Sequence, residues 1–195
     1  MKTILSFFAL ITVLIFTAEK TQAQAWERHA TVLSIGFGLS DFFHVDDYYY
    51  RNGNRNHGYY NPRTGQFNLQ MEFGIHNYVG LGFTTGVGLR RGWNNDYQGE
   101  VNIPFGILCN FHFYQLIDDK ASKDIHADKL DIYAGISAGG GIAITTYNND
   151  YRRNVPIAFG GPHVGVRWYF TERTALNAEV GYGKSLVNVG FAFKL

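Results

Sequence analysis

The stretch Gln66-Phe-Asn-Leu-Gln-Met-Glu-Phe-Gly-Ile75 decides how this chain folds. Apolar residues alternate in it with polar residues or glycine, and the apolar positions are Phe67, Leu69, Met71, Phe73 and Ile75. Successive side chains on a β-strand point to opposite faces. The stretch is therefore predicted to be a strand with one wholly apolar face and one polar face.

The same alternation recurs along most of the chain. We predict eight strands, at residues 31–39, 66–75, 79–90, 100–113, 130–145, 155–170, 175–183 and 186–195. Short turns on one side and longer polar connections on the other are typical of an up-and-down barrel in a membrane. The connection at 115–128 is longer than this rule allows, and we predict a helical turn near residues 118–122 within it.

The sixth predicted strand changes phase along its length. Its apolar residues are odd-numbered at 155–159 and even-numbered at 164–170, and Gly160-Gly161-Pro162 lies between the two groups. A one-residue slip at Gly and Pro is what a β-bulge produces. We therefore predict a bulge at this point.

Eight alternating strands can close into two kinds of barrel. A soluble barrel, such as a lipocalin, keeps its apolar face inside. Here the polar face is dominated by glycine, which suits a narrow lumen that side chains fill. These glycines are Gly36, Gly38, Gly80, Gly82, Gly86, Gly88, Gly135, Gly139, Gly141, Gly181 and Gly190. We predict an all-β, eight-stranded antiparallel up-and-down transmembrane β-barrel whose apolar side chains face lipid.

The first 25 residues have the layout of a cleavable signal peptide. Lys2 supplies a positive charge, residues 4–18 are uncharged and mostly apolar, and Ala23 and Ala25 each offer a small-residue cleavage site. A transmembrane anchor is the alternative, but the run is short for a span, which needs about 20 residues. We predict a signal peptide at 1–25 and a single barrel domain at 26–195.

The C-terminal part of the chain carries a more specific pattern. Residues 165–183 read Gly-Val-Arg-Trp-Tyr-Phe-Thr-Glu-Arg-Thr-Ala-Leu-Asn-Ala-Glu-Val-Gly-Tyr-Gly, and residues 187–195 read Val-Asn-Val-Gly-Phe-Ala-Phe-Lys-Leu. These stretches resemble the closing strands of small OmpA/OmpX-type outer-membrane β-barrels. The resemblance implies a place in the bacterial outer membrane, contact with its lipid and lipopolysaccharide, and a last strand that the outer-membrane assembly machinery recognises. Such strands usually end in Phe, whereas this one ends in Leu195.

Seven charged residues fall on the inward track of the predicted barrel: Glu72, Arg90, Glu100, Asp131, Arg167, Glu179 and Lys194. They could form an ion path, a catalytic pair or a closed network that fills the lumen. Both signs are well represented and buried charges must be paired, so we predict the closed network. Within it we expect Arg167 to pair with Glu179 on the next strand, and Asp131 to approach Arg167 from the other side. We expect Arg90 to face Glu100 near the outer rim.

Evidence for catalysis or for a cofactor is weak. A barrel enzyme that modifies lipid A needs a Ser, a His and an acid near the outer rim, and His163 and Ser185 are the only strand-associated candidates. The formal net charge of +1 does not favour nucleic acid as a partner. No fixed ligand spacing connects the potential metal ligands of the loop at 41–65, which are His44, Asp46, Asp47 and His57. We expect no enzymatic activity, no cofactor and no metal.

The long loop at 41–65 is the best candidate for a contact surface. Among its Asn and Gly residues it carries Tyr48, Tyr49, Tyr50, Tyr59 and Tyr60. Such mixtures make adaptable binding surfaces, although a loop lying on lipopolysaccharide would have the same composition. The prediction is a non-enzymatic outer-membrane protein that is structural or presents outer loops for adhesion or binding of an unknown ligand. A lipid-modifying barrel enzyme and a small pore are the alternatives.

Overall fold

The described residues form a closed barrel with one short helix. The computed structural model describes residues 25–39, 65–94, 97–120, 127–147 and 152–195. In chain order the elements are β1 (Thr31–Leu39), β2 (Gly65–His76), β3 (Val79–Asn94), β4 (Tyr97–Phe111), α1 (Phe113–Lys120), β5 (Leu130–Tyr147), β6 (Arg152–Tyr169), β7 (Thr174–Gly181) and β8 (Val187–Lys194).

Each strand pairs antiparallel with the next, and β1 pairs with β8 to close the barrel. The closing register runs from Val32 opposite Lys194 to Leu39 opposite Val187. This confirms the predicted eight-stranded up-and-down barrel. We call the rim where β1 begins and β8 ends the terminal rim, and the opposite rim the far rim.

The apolar track of every strand faces outward along most of its length. Exposed fractions reach 60% at Ile107 and 64% at Ile136, and large apolar side chains are exposed on all eight strands. An exposed apolar surface of this extent would be costly in water, whereas it is favourable against lipid. The outer face is therefore suited to a bilayer.

Glycines on the inner face make room for large buried side chains. A Cβ at Gly165 would collide with the ring of Tyr133, and a Cβ at Gly80 would collide with the carboxylate of Glu72. Tyr133 and Glu72 are both fully buried. The small inward residues therefore allow a narrow barrel to be filled by a few large side chains from the neighbouring strands.

The predicted bulge in the sixth strand is wrong. The register between β5 and β6 runs without a shift from Leu130 opposite Trp168 to Thr146 opposite Arg152. The apolar side chains of Val155, Ile157 and Phe159 point into the lumen and are 4–7% exposed; they form a cluster with Ala143. The change of phase thus marks a lumen that becomes apolar toward the far rim, and the backbone does not slip.

The strands differ greatly in length. The strands β3 to β6 have 16, 15, 18 and 18 residues, whereas β1, β7 and β8 have 9, 8 and 8. Additional residues extend at the far rim: β6 pairs with β5 back to Arg152, whereas its register with β7 stops at His163. Among the described residues, β3 to β6 therefore form a taller part of the barrel wall than β7 and β8.

The helix α1 follows β4 at the terminal rim. It begins at Phe113, so the chain leaves the sheet earlier than the predicted strand end at 113 and turns helical earlier than residues 118–122. Gln115 is its buried residue. Among the described residues, no helix is long and apolar enough to cross a membrane.

Candidate functional site: the buried lumen network

The segment that precedes β1 folds into the terminal end of the barrel. Trp26 is fully buried, and Ala25 and Ala30 are 2% and 5% exposed. Backbone hydrogen bonds hold the segment to the end of β2: His29 N–H donates to the Gly74 carbonyl at 2.8 Å, and Gly74 N–H donates to the Ala30 carbonyl at 2.8 Å. His29 adopts φ 68°, which turns the chain from this plug into β1.

Four ionisable side chains meet beneath this plug. The Nδ1 of His112 lies 2.8 Å from Asp131 Oδ1, and its Nε2 lies 3.0 Å from Glu72 Oε1. Arg167 reaches the second oxygen of each carboxylate: its Nη1 is 3.2 Å from Asp131 Oδ2, and its Nη2 contacts Glu72 Oε2. All four residues are at most 2% exposed. We call this cluster the quartet.

The quartet is electrically neutral. Both ring nitrogens of His112 face carboxyl oxygens, and when both carboxyl groups are ionised they only accept hydrogen bonds, so that both nitrogens donate and the ring is an imidazolium. Two cations, His112 and Arg167, therefore face two anions, Glu72 and Asp131. Each carboxylate oxygen has one cationic partner, which is the arrangement that a buried ion cluster needs to offset its desolvation.

Aromatic rings enclose the quartet on two sides. The ring of Trp26 stacks on His112 with centroids 3.6 Å apart and planes 5° apart. The guanidinium carbon of Arg167 lies 4.4 Å from the Tyr133 ring centroid and 5.9 Å from that of Trp26. These contacts place both cations against π faces and exclude water from them.

A second pair continues the network toward the middle of the barrel. The Tyr133 hydroxyl lies 3.1 Å from Glu179 Oε2, and Lys184 Nζ lies 3.1 Å from Glu179 Oε1. Lys184 also donates to Gln70. Lys184 belongs to the connection between β7 and β8, which turns inward, since Lys184 and Ser185 are only 5% and 7% exposed.

The predicted pair of Glu179 with Arg167 is wrong. The residue opposite Arg167 in the register of β7 is Asn177, whereas Glu179 lies opposite Gly165. Arg167 therefore reaches across the lumen to β2, and Glu179 takes Lys184 instead. Asp131 does lie opposite Arg167 on the neighbouring strand and pairs with it.

The other predicted members of the charge network lie apart from the quartet. Lys194 pairs with Glu27 at 2.7 Å, which joins the last strand to the segment before the first. Arg90 and Glu100 are register partners near the far rim. Glu100 is 7% exposed, and the side chain of Arg90 is outside the described part of the structure.

Toward the far rim the lumen is lined by neutral amides. Gln66 Nε2 donates to Asn68 Oδ1 at 2.6 Å, and Asn68 Nδ2 donates to Asn188 Oδ1 at 3.1 Å. All three residues are at most 4% exposed. Gln66 lies on the same register row as Ala143 of the apolar cluster, through Gly88 and Asn102.

The candidate catalytic residues are not arranged as a catalytic pair. His163 Nε2 is hydrogen-bonded to Asn110 Oδ1 at 2.8 Å. The Ser185 hydroxyl is buried and has no hydrogen-bond partner in the part of the chain that the structure describes, so no base activates it. Within the same residues, no three His, Cys, Asp or Glu side chains could hold a metal ion.

Several functional candidates of the loop at 41–65 lie outside the described residues: His44, Asp46, Asp47, Tyr48, Tyr49, Tyr50, His57, Tyr59 and Tyr60. Conversely, Trp26, His112 and Lys184 were missed by sequence reasoning. His112 continues the even-numbered, inward-facing positions of β4. Extending that alternation by one residue pair would have predicted that His112 points into the lumen.

Comparison with known proteins found similar β-barrels among solved structures but no protein of related sequence. No family model and no curated protein matches the chain. The outer membrane protein OprG of Pseudomonas aeruginosa aligns over 89% of this chain and 99% of its own, with 10% identity and a TM-score of 0.52. The Ail protein of Yersinia pestis aligns over 86% of this chain and 98% of its own, with 16% identity and a TM-score of 0.48.

The chain has the fold of a small OmpA/OmpX-type outer-membrane barrel. Its exposed apolar outer face is the surface that such a barrel turns to lipid. This fold and this outer surface suit a protein of the bacterial outer membrane. The fold alone does not identify a role, because closely similar barrels carry unrelated functions.

Proposed function

We propose that this protein is a non-enzymatic outer-membrane barrel that presents its far rim for binding at the cell surface. The observation that carries the proposal is the tall wall formed by β3 to β6. In this proposal the terminal rim faces the periplasm, the loop at 41–65 belongs to the binding surface, and the assembly machinery recognises β8 during insertion.

Among the described residues, the tall wall rises above β7 on one side and above the described part of β2 on the other. Residues 152–161 of β6 pair with β5 and lie beyond His163, the last residue of β6 with a register partner on β7. On the other side, residues 89–94 of β3 lie beyond Gly88, which is the last residue with a partner on β2. A sheet that projects in this way offers a rigid platform for the connections at its tips.

The filling of the lumen favours binding over transport. The quartet, Trp26 and Tyr133 lie in the terminal half, and Lys184 with Glu179 lies above them. Each of these residues is at most 5% exposed. A path for solutes would have to separate paired, buried charges, and breaking such pairs costs a large amount of free energy.

No observation favours a lipid-modifying enzyme. His163 and Ser185 are the residues that such chemistry would use, and their hydrogen bonds do not connect them. The other buried histidine, His112, has both ring nitrogens engaged by carboxylates and has no free lone pair to act as a base.

The binding role is tested with cells that display four forms of the protein. These are the wild type, a variant in which a short Gly-Ser linker replaces residues 41–64, a variant with the β5–β6 hairpin shortened at its tip, and Lys120→Ala at the terminal rim as a control. Adhesion to immobilised heparin and to purified lipopolysaccharide is measured, together with heat-modifiable migration, which reports barrel assembly.

We expect the two far-rim variants to lose adhesion to at least one of these surfaces while the barrel still assembles, and Lys120→Ala to bind like the wild type. Equal binding by all four forms would contradict the proposal. A changed acyl pattern of lipid A in a deletion strain would establish the enzymatic alternative instead.

A further inference from the structure

The helix α1 turns its polar side toward the barrel. Gln115 is 3% exposed, and its side-chain amide donates to Asp119 Oδ1 at 2.9 Å. The other carboxylate oxygen of Asp119 accepts a hydrogen bond at 2.8 Å from the hydroxyl of Tyr78, in the turn between β2 and β3. Residues four apart lie on the same side of a helix. The side that carries Gln115 and Asp119 therefore fixes α1 to the terminal rim.

The opposite side of α1 is apolar and points outward. Phe113, Ile117 and Lys120 follow one another at intervals of four and three residues, so they lie on one face of the helix. Ile117 is 49% exposed, Lys120 is exposed and Phe113 is half-buried. We call these three residues the Ile117 face.

This arrangement is the reverse of the one expected in water. A surface helix of a soluble domain packs its apolar stripe against the core and turns its polar residues to the solvent. In α1 the polar residues Gln115 and Asp119 make the contacts, and Ile117 faces outward. One exposed apolar side chain is common on any protein surface, but the inversion of both sides is favourable only where an apolar medium meets the Ile117 face.

The Ile117 face continues the apolar outer surface of the barrel. Phe111, the last residue of β4, is 42% exposed on that surface, and α1 begins two residues later. Near the end of β2, Ile75 is 51% exposed. The hydrogen bond from Tyr78 to Asp119 keeps the last turn of the helix close to the same rim. The helix thus lies where the lipid-facing surface of the barrel ends.

We propose that α1 is an interfacial helix whose Ile117 face binds the phospholipid surface at the terminal rim. Phe113 and Ile117 insert among the lipids, and the ammonium of Lys120 pairs with headgroup phosphates while its methylene stem lies along apolar surface. The proposal goes beyond the binding role at the far rim and rests on it only for the leaflet. With the terminal rim toward the periplasm, the partner is the inner-leaflet phospholipid.

Spin-label accessibility in vesicles tests the proposal. Cys109 is the only cysteine, so Cys109→Ala gives a background for single labels at Ile117→Cys, Phe111→Cys and Glu172→Cys. Phe111 is the lipid-facing reference, and Glu172, which is exposed in the turn between β6 and β7 at the same rim, is the aqueous control. The proteins are folded into vesicles of phosphatidylethanolamine and phosphatidylglycerol, and assembly is verified by heat-modifiable migration. Collision of each label with oxygen, which concentrates in lipid, is compared with collision with a water-soluble nickel chelate.

We expect the ratio of oxygen to nickel collisions at Ile117 to exceed the ratio at Glu172 clearly and to approach that at Phe111. A ratio at Ile117 equal to that at Glu172, or lower, would overturn the proposal and would favour a periplasmic protein as the partner of the Ile117 face. If Ile117→Cys does not assemble, Lys120→Cys reports on the same face, with the same expected order relative to Glu172. Adhesion by the far-rim variants is measured separately, so failure of the binding role and failure of this proposal are distinguishable.

Discussion

Near the terminal rim the lumen holds the quartet under a stacked Trp26, whereas toward the far rim it holds neutral amides, glycines and the apolar cluster of β5 and β6. Both regions exclude water, but they do so by different means. The terminal half depends on charges that are each satisfied by the others. The far half depends mainly on the fit of uncharged groups, with Glu100 as a buried acidic side chain near the far rim. The two halves should therefore respond very differently to the loss of one side chain.

The largest expected effect is at Arg167. The substitution Arg167→Met leaves Glu72 and Asp131 buried with only His112 as a cation, and we expect a loss of about 3–5 kcal/mol in the free energy of unfolding. Urea unfolding in detergent, followed by heat-modifiable migration, measures it. In the far half, Asn102→Ala removes a side chain that is 2% exposed and whose Oδ1 has no hydrogen-bond partner within the described ranges, so we expect about 1 kcal/mol or less.

A triple variant sharpens this comparison. In the Arg167→Met background, Glu72→Gln and Asp131→Asn remove the unpaired negative charges, and we expect part of the lost stability to return. If Arg167→Met costs no more than Asn102→Ala, the quartet is not the element that holds the terminal half together.

The next effect concerns the plug. Replacing Trp26 by Leu removes the ring that stacks on His112 and leaves a cavity in the terminal half; we expect a loss of about 2 kcal/mol or more. The matched control is Trp168→Leu. Trp168 is 57% exposed on the outer face, and Leu keeps an apolar side chain at that position. If both substitutions lower the free energy of unfolding by a similar amount in the same assay, the plug adds little to the stability of the barrel.

A smaller effect separates the two faces of one strand. The Cβ of Gly165→Ala on β6 would meet the Tyr133 ring, and we expect a loss of about 1–3 kcal/mol from overpacking. The same change at Gly160, which faces outward, would meet Ser137 O at 3.4 Å and Ala138 Cβ at 3.7 Å, which are ordinary contacts. We expect Gly160→Ala to stay within about 0.5 kcal/mol of the wild type. The reverse order would mean that the inward and outward tracks of β6 are misassigned.

The smallest effect lies outside the lumen, at the turn between β2 and β3. The Tyr78 hydroxyl donates to Asp119 Oδ2 of α1 at 2.8 Å, and this hydrogen bond raises the pKa of the Tyr78 phenol above its usual value. We expect Asp119→Asn to lower that pKa toward the usual value of about 10 without destabilising the barrel. The chemical shift of the labelled Tyr78 ring followed against pH measures the change, and an identical titration in both proteins would argue against the contact.

The strands and their faces could be predicted because a period of two is a local property of the sequence. The bounds of β1 agree with the predicted strand at 31–39, and its even residues point inward as expected. Alternation alone cannot decide, however, whether an apolar track faces lipid or a lumen that is itself apolar. That ambiguity produced the wrong bulge at residues 160–162, where Phe159 and its apolar neighbours in fact point inward.

The choice of partners inside the lumen could not be predicted, because it depends on distances across the barrel. Arg167 pairs with Glu72, which is 95 residues away and on a strand that does not neighbour β6. Trp26 and Lys184 lie outside the strands, where no alternation assigns an inward direction. Such contacts follow from the radius and stagger of the closed barrel, which no short stretch of sequence specifies.

The central claim is that both halves of the lumen are closed, so that the protein acts through its far rim. Planar-bilayer recording with purified wild-type protein, after its folded state has been verified by heat-modifiable migration, tests this most directly. The account predicts no steady channels of porin size. Stable open channels in the wild type would show a continuous water path past the quartet and Lys184, and would contradict it.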